Sequence, residues 1–163
     1  MSAARMSDQT ATPAKRKARS ARRHARLAAV QALYQIELVD AGEDQVIEEF
    51  VTRDRQDQRF DEAYFSSLVR GAVERQTTLD SVIGETLSDD WPINRLSVTL
   101  RALFRVAAFE LEACGEVPGR VVVSEFVDVA RGFFDTAETG FANGVLDRLA
   151  RRLRPDEWAD EEE

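Results

Sequence analysis

The hydrophobic residues of this chain recur every three to four positions over most of residues 20–155, which is the spacing of amphipathic helices. No segment alternates apolar and polar residues as a half-exposed strand does. The pattern predicts seven helices, at about residues 20–39, 43–52, 62–76, 79–87, 96–114, 118–133 and 141–153. Three consecutive valines at residues 121–123 have strand propensity, but the longer helical stripe around them prevails. The predicted fold class is therefore all-α.

The helix predicted from Leu96 to Cys114 is apolar on nearly all sides, so we expect it to be central and buried. Glu110 falls among its apolar positions. A buried carboxylate needs a positive or hydrogen-bonding partner, so an arginine or backbone donors are expected beside it. We interpret Glu110 as a structural residue rather than a catalytic one.

The first predicted helix carries two kinds of residue on one face. Its outer half presents four arginines at the i, i+3, i+4, i+7 spacing of neighbours on a helix: Arg19, Arg22, Arg23 and Arg26. Apolar residues continue this face from Val30 onward, so the inner half is expected to pack into a core while the arginines stand in water. Guanidinium groups bind phosphate bidentately. The pattern therefore predicts a nucleic-acid-binding helix at the edge of the domain.

The charge of the chain is divided unevenly along its length. Residues 1–26 hold eight Lys or Arg and one acid, Asp8, whereas the remaining residues hold 14 Lys or Arg and 29 Asp or Glu, for a net charge of −8. Residues 1–19 are predicted to form a disordered basic arm and residues 156–163 a loose acidic tail, with the domain itself spanning residues 20–155. A basic arm on an acidic body fits a nucleic-acid binder. A passive solubilising arm is the alternative.

Few residues of the sequence are suited to catalysis. His24, the single histidine, lies inside the arginine cluster, where a contact to phosphate or to a base is the preferred interpretation. Cys114, the single cysteine, excludes an intrachain disulfide, and no Cys/His set has the spacing of a zinc site. We therefore predict no enzymatic activity, no metal and no cofactor. No apolar run is long enough to span a membrane and no secretory signal is visible, so a soluble cytoplasmic protein is expected.

Four segments together resemble the NusB family of bacterial transcription antitermination factors. They are RRHARLAAVQALYQIEL (residues 22–38), LRALFRVAAFEL (100–111), VPGRVVVSEFVDVARGF (117–133) and FANGVLDRLA (141–150). The resemblance implies two small helical bundles packed together. It also implies a protein that binds the boxA element of nascent ribosomal RNA, as single-stranded RNA, in a heterodimer with the small-subunit ribosomal protein NusE. That pair would help to assemble an antitermination complex on RNA polymerase.

The resemblance also implies roles for individual residues. The arginine-rich start of the first helix would be the main RNA contact. Four further positions match family positions near the RNA or the partner: Tyr34, Arg120, Phe141 and Asn143. Simpler roles remain open for three of them, namely core packing for Tyr34 and Phe141 and helix capping for Asn143. Three positions would face the ribosomal protein: Leu100, Arg101 and Phe104.

The sequence departs from the family pattern at two places. The loop of residues 134–140 lacks the serine and the basic residue that members often place before the phenylalanine, which weakens the transfer of RNA contacts to this loop. Leu100 stands where many members carry an acidic residue facing the ribosomal protein. Two other interpretations remain open: a stand-alone RNA-binding domain related to the accessory domain of ribosomal RNA cytosine methyltransferases, and a protein-only interaction module.

Overall fold

In the computed structural model, which describes residues 11–161, the chain forms seven α-helices and two 3-10 helices, without a strand among these residues. The α-helices are α1 (Pro13–Val39), α2 (Glu43–Asp57), α3 (Glu62–Glu74), α4 (Gln76–Thr86), α5 (Val98–Ala113), α6 (Gly119–Phe133) and α7 (Thr136–Leu153). The 3-10 helices are Ile93–Arg95 and Pro155–Glu161. The predicted all-α class is confirmed. Within the described range, no helix has the length and apolarity that crossing a membrane requires.

The first helix begins about two turns earlier than predicted, at Pro13 rather than near Ser20. The Thr12 hydroxyl accepts a hydrogen bond from the backbone N–H of Lys15, and Pro13 occupies the first turn, where no N–H is needed. Ala, Lys and Arg, which favour helix, follow it. Residues 13–19, which we expected to be disordered, are therefore helical. The part of the arm before residue 11 lies outside the described residues.

Residues 53–57, which lie beyond the end of the second predicted helix, are also helical. α2 continues past its predicted end at Thr52 to Asp57, and Gln58 closes it in the left-handed conformation with φ 49°. The buried Asp54 carboxylate accepts a hydrogen bond from the backbone N–H of Arg59 at 2.8 Å. This bond satisfies a backbone donor just after the end of the helix.

The predicted loop of residues 134–140 contributes more than a turn to α7. Asp135 caps this helix, because its carboxylate accepts the backbone N–H of Glu138 at 2.8 Å. The helix then runs without a break from Thr136 to Leu153.

The central element of the fold is α5, which contacts α1, α3, α4, α6 and α7. Eleven of its sixteen residues are buried, as the sequence predicts for a helix that is apolar on most sides. One bundle consists of α1, α2 and α3, and the second of α4, α6 and α7 around α5. Gly71 lets α3 approach α5 closely, since an added Cβ would lie 2.0 Å from the Phe109 ring.

A buried ion pair joins α1 to α5. The Arg26 guanidinium donates to both carboxylate oxygens of Glu110, with Nε–Oε1 at 2.8 Å and Nη2–Oε2 at 2.7 Å, and both side chains are enclosed. The Tyr64 hydroxyl of α3 donates to the same carboxylate at 2.6 Å. The expected arginine partner of Glu110 is thus confirmed, and three helices meet at one carboxylate.

The pKa values of the two donors follow from this arrangement. Burial alone would lower the pKa of Arg26, but the hydrogen bond to Glu110 and the negative charge of that carboxylate more than offset it, so the pKa is raised. Burial, followed by the charge of Glu110, raises the pKa of Tyr64 far above its ordinary value. Both donors therefore keep their protons throughout the physiological pH range.

Residues 155–161 are folded onto the domain, although residues 156–163 are predicted to form a loose acidic tail, of which residues 162 and 163 lie outside the described residues. Trp158, in the 3-10 helix Pro155–Glu161, is 2% exposed and packs against Gly119, where an added Cβ would lie 2.8 Å from the indole. The Glu157 carboxylate accepts the N–H of Gly119 at 2.8 Å, at the N-terminus of α6, where negative charge is favourable. Arg154 pairs with Glu157 and donates to carbonyl groups at the end of α5.

Replacing Arg26 with Met is expected to lower the free energy of unfolding by about 3–5 kcal/mol, because the Glu110 carboxylate would be left buried without its cation. The double variant Arg26→Met/Glu110→Gln, which removes both charges, is expected to lose less than the single variant. Denaturant unfolding followed by circular dichroism measures both effects.

The matched control is Arg23→Met, which removes an arginine one turn away whose ion pair with Glu125 is exposed on the arginine side. Its expected loss is at most about 1 kcal/mol. Equal losses for the Arg26 and Arg23 variants would contradict the structural role of the buried pair.

Candidate nucleic-acid interface

The first turns of α1 project from the rest of the domain. Every residue from Thr12 to Ser20 is exposed, and we call residues 13–20 the basic overhang. Its cations are Lys15, Arg16, Lys17 and Arg19. The first backbone contact with another helix comes directly after it, where the Ala21 carbonyl accepts the N–H of Asp61 at 3.1 Å. At a rise of 1.5 Å per residue, the overhang is about 12 Å long.

Two further predicted arginines lie at the base of the basic overhang and contact neighbouring helices. The Arg22 guanidinium lies 4.4 Å from the centre of the Tyr64 ring, in a cation–π contact. Arg23 forms a bidentate ion pair with Glu125 of α6, at 2.9 and 3.2 Å, and its side chain is still 55% exposed. His24 is half-buried, with Nδ1 at 2.8 Å from a carbonyl oxygen of the preceding turn. The base of the overhang is therefore fixed to α3 and α6.

Arg26, the fourth arginine of the predicted stripe, does not lie on this surface. It is 3% exposed and its guanidinium is occupied by Glu110, so it is not available to RNA in this structure. The helical spacing places it on the same side of α1 as Arg22, but that side turns inward where the helix enters the domain. The structure thus brings Arg19, Arg22 and Arg23 to the surface and uses Arg26 in the core.

Two of the other predicted residues lie together between α6 and α7. Arg120 and Asn143 line a depression of about 340 Å³, together with Arg131. An adjoining depression of about 370 Å³ shares Asn143 and Arg131 and follows the start of α7. We call the two depressions the α6–α7 groove. Asn143 is exposed and Asp135 caps the helix, so the capping role considered for Asn143 is not observed.

Arg120 is surrounded by groups that are not among the predicted site residues. Its guanidinium pairs with Glu161 at 2.5 Å and lies 5.0 Å from the centre of the Trp158 ring. Arg151 of α7 reaches the same carboxylate at 3.0 Å and lies 5.7 Å from the same ring. The one signal for this arrangement in the sequence is a tryptophan inside an acidic segment, which is unusual for a solvated tail.

Phe141 does not share the α6–α7 groove with Asn143. Two residues along a helix correspond to about 200°, so the two side chains point to different sides of α7. Phe141 is half-buried and lines a separate depression of about 460 Å³ with Leu100 and the exposed Trp91. Its ring centre lies 6.4 Å from that of Phe104.

Tyr34 lies in a separate place, near the middle of α1. Its side chain is 38% exposed, so the core packing considered for it is not observed. It lines a depression of about 170 Å³ together with Thr99 and Phe133, and Phe133 is 40% exposed. The predicted site residues therefore occupy four places on the surface rather than one: the start of α1, the α6–α7 groove and the two separate depressions that contain Phe141 and Tyr34.

The three residues expected to face the ribosomal protein differ in exposure. Phe104 is fully buried, so it is not available for a direct contact in this structure. Leu100 is 6% exposed and borders the depression that contains Phe141. Arg101 is half-buried and donates to Glu37 of α1 at 2.7 Å.

Comparison with known proteins places the chain in one family. The model of the NusB family matches residues 23–151. The transcription antitermination protein NusB of Maricaulis maris is 44% identical over 159 residues, which cover 90% of this chain and 96% of that protein. The same protein of Bradyrhizobium diazoefficiens is 43% identical over 162 residues, covering 94% of this chain and 98% of the relative.

Solved structures are similar in fold as well. NusB of T. maritima superposes with a TM-score of 0.73 at 30% identity, covering 84% of this chain and 96% of the other. A crystal structure of the antitermination factors NusB and NusE in complex with dsRNA gives a TM-score of 0.67 at 26% identity, covering 80% of this chain and 96% of the other.

The docking of the C-terminal 3-10 helix is expected to depend on pH through Glu157. The hydrogen bond from Arg154, and then that from the backbone of Gly119, lower the pKa of this carboxyl. A lowered pKa contributes stability that is complete above the ordinary value of 4.5 and is lost as the pH falls through the lowered value. Glu157→Gln should therefore be less stable than the wild type at pH 7, by at most about 1 kcal/mol for so exposed a group. The difference should shrink as the pH falls below 4.5 and vanish once the Glu157 carboxyl is protonated.

The matched control is Asp156→Asn, which removes an exposed acid of the same segment that has no ion pair among residues 11–161. Denaturant unfolding at pH 7 and at a series of lower pH values measures the two differences. A stability difference for Glu157→Gln that stays the same throughout the series would contradict the charge-based explanation.

Proposed function

Because the chain belongs to the NusB family of transcription antitermination proteins, which is not a family of enzymes, we propose that it binds the boxA element of nascent ribosomal RNA together with the ribosomal protein NusE. The pair then helps to assemble an antitermination complex on RNA polymerase. Since bacterial transcripts are made in the cytoplasm, the proposal places the protein there.

The observation that carries this proposal is the basic edge formed by the overhang and the base of α1. The cations of the overhang are exposed, and Arg23 is fixed against Glu125 of α6. Arg120 lies five residues before Glu125, which is about 7.5 Å along the axis of α6. An RNA strand that follows this edge meets guanidinium groups suited to its phosphates and then the amide of Asn143, which is suited to a base edge.

The acidic remainder of the domain supports the same proposal. Beyond residue 26, acidic residues outnumber basic ones by 29 to 14, which disfavours RNA elsewhere on the surface and favours a basic partner. A solved structure similar to this chain contains the antitermination factors NusB and NusE in complex with dsRNA. We assign the NusE contact to the apolar depression around the exposed Trp91, which Leu100 borders, with Arg101 and Glu37 beside it.

The function is tested with the full chain, a labelled RNA that contains boxA, a scrambled RNA of the same composition, and the ribosomal protein NusE. Fluorescence anisotropy is expected to show preferential binding of boxA RNA and tighter binding in the presence of NusE. If both RNAs bind equally and NusE has no effect, the protein is a nonspecific RNA-binding domain and the proposal is wrong. Binding of NusE without RNA would indicate a protein-only interaction module.

Replacing Arg19 and Arg23 with alanine is expected to weaken binding of boxA RNA. For single-stranded RNA, the slope of log K against log salt changes by about 0.7 for each phosphate contact, so loss of two contacts flattens it by about 1.4. Thermal stability should remain nearly unchanged because both side chains are exposed.

The matched control is Arg53→Ala/Arg55→Ala, which removes two exposed arginines from α2 and changes the net charge equally. The salt slope of this control should equal that of the wild type. A common slope for all three proteins would exclude the basic edge as the RNA contact.

A further inference from the structure

The free protein holds an anion between two helices at the end of the α6–α7 groove. That anion is the side-chain carboxylate of Glu161, which accepts a hydrogen bond from Nη2 of Arg120 on α6 and forms an ion pair with Nη2 of Arg151 on α7. The two contacts use different carboxylate oxygens, at 2.5 and 3.0 Å. The two guanidinium groups therefore form a pincer around one small, planar anion.

The pincer is held in place by groups other than the anion. Both guanidinium groups lie over the ring of the buried Trp158, at 5.0 and 5.7 Å from its centre. Asp147 accepts from Nε of Arg151 at 2.9 Å and leaves Nη2 directed to Glu161. The indole and Asp147 thus orient the two cations independently of Glu161.

The same pincer opens onto the surface that we propose for RNA. Arg120 and Trp158 line the α6–α7 groove together with Asn143. The side chains of Arg120 and Arg151 are 58% and 40% exposed, and that of Glu161 is 43% exposed. The carboxylate can therefore leave and another anion can enter from solvent without any change in the core.

We propose that Arg120 and Arg151 form a binding site for an RNA backbone phosphate, and that Glu161 fills this site in the free protein. The inference rests on the proposed function and adds Arg151 to its RNA contacts. The planar guanidinium group donates to the oxygens of carboxylates and of phosphates alike, so two phosphate oxygens can take the places of the two carboxylate oxygens. Each RNA molecule that binds must first displace Glu161, which weakens binding of any strand that does not make the other contacts of the groove.

The test compares Glu161→Gln with Asp160→Asn in anisotropy titrations with boxA RNA in the presence of NusE. The two variants change the net charge equally, but Asp160 has no ion pair among the described residues. Trp158 and Glu157 keep the segment docked in both variants. Glu161→Gln is expected to bind boxA RNA about two- to fivefold more tightly than Asp160→Asn at low salt, the size expected for an exposed ion pair. It should also bind scrambled RNA more tightly.

A second pair of variants tests the role of Arg151 itself. In the Glu161→Gln background, Arg151→Gln should weaken RNA binding and flatten the salt slope by about 0.7, the value for one phosphate contact. Arg152→Gln, at the next position of α7, where the side chain pairs with Glu85, should leave the slope unchanged.

The possible outcomes separate the two proposals. Equal affinities for Glu161→Gln and Asp160→Asn, or equal slopes for the Arg151 and Arg152 variants, would overturn the phosphate site while the function stands. If neither the wild type nor Glu161→Gln prefers boxA RNA over scrambled RNA, the proposed function fails and this inference fails with it. Tighter binding by Glu161→Gln alone supports the site even where binding by the wild type is too weak to measure.

Discussion

The carboxylate of Glu110 is the constraint on which the arrangement of the helices depends. It lies on α5, is fully buried, and accepts hydrogen bonds from Arg26 of α1 and Tyr64 of α3. Burying two charges costs about as much free energy as their attraction returns. We therefore interpret the pair as fixing the orientation of α1 against α5 rather than as adding net stability. Only one rotation of α1 brings Arg26 to Glu110. That rotation also directs Arg23 towards α6 and leaves the overhang in solvent.

The sequence was sufficient for the class of the fold and for its central helix, because helical periodicity reports which face of a helix is buried. It was not sufficient to predict how deeply each residue of that face is buried in the domain. Arg22 and Arg26 belong to the same stripe, but one lies at the edge of the domain and the other inside it. The need of Glu110 for a cation was predictable from α5 alone. The identity of that cation was not, because Arg26 lies 84 positions away and resembles its exposed neighbours.

The residues that surround Arg120 could not be predicted from the sequence either. Composition alone describes residues 156–163 as solvated, and a single tryptophan does not alter that description. Residues 156–161 dock because Trp158 fills the space that Gly119 leaves open, and because Arg154 donates to carbonyl groups at the end of α5. Both contacts join positions that are distant along the chain, so neither periodicity nor composition contains them. The burial of Phe104, by contrast, agrees with the apolar pattern of the central helix and not with the partner contact that its family position suggested.

The helical form of the overhang affects how its charges meet a nucleic acid. In a disordered arm, each residue that becomes fixed on binding costs about 1–2 kcal/mol of conformational entropy. In this chain, Thr12 and Pro13 start a helix that continues into the core, so much of that ordering takes place when the protein folds. Lys15, Arg16 and Arg19 then move as one rigid body with the domain. The basic overhang is therefore a preorganised extension of the binding surface rather than a flexible tether.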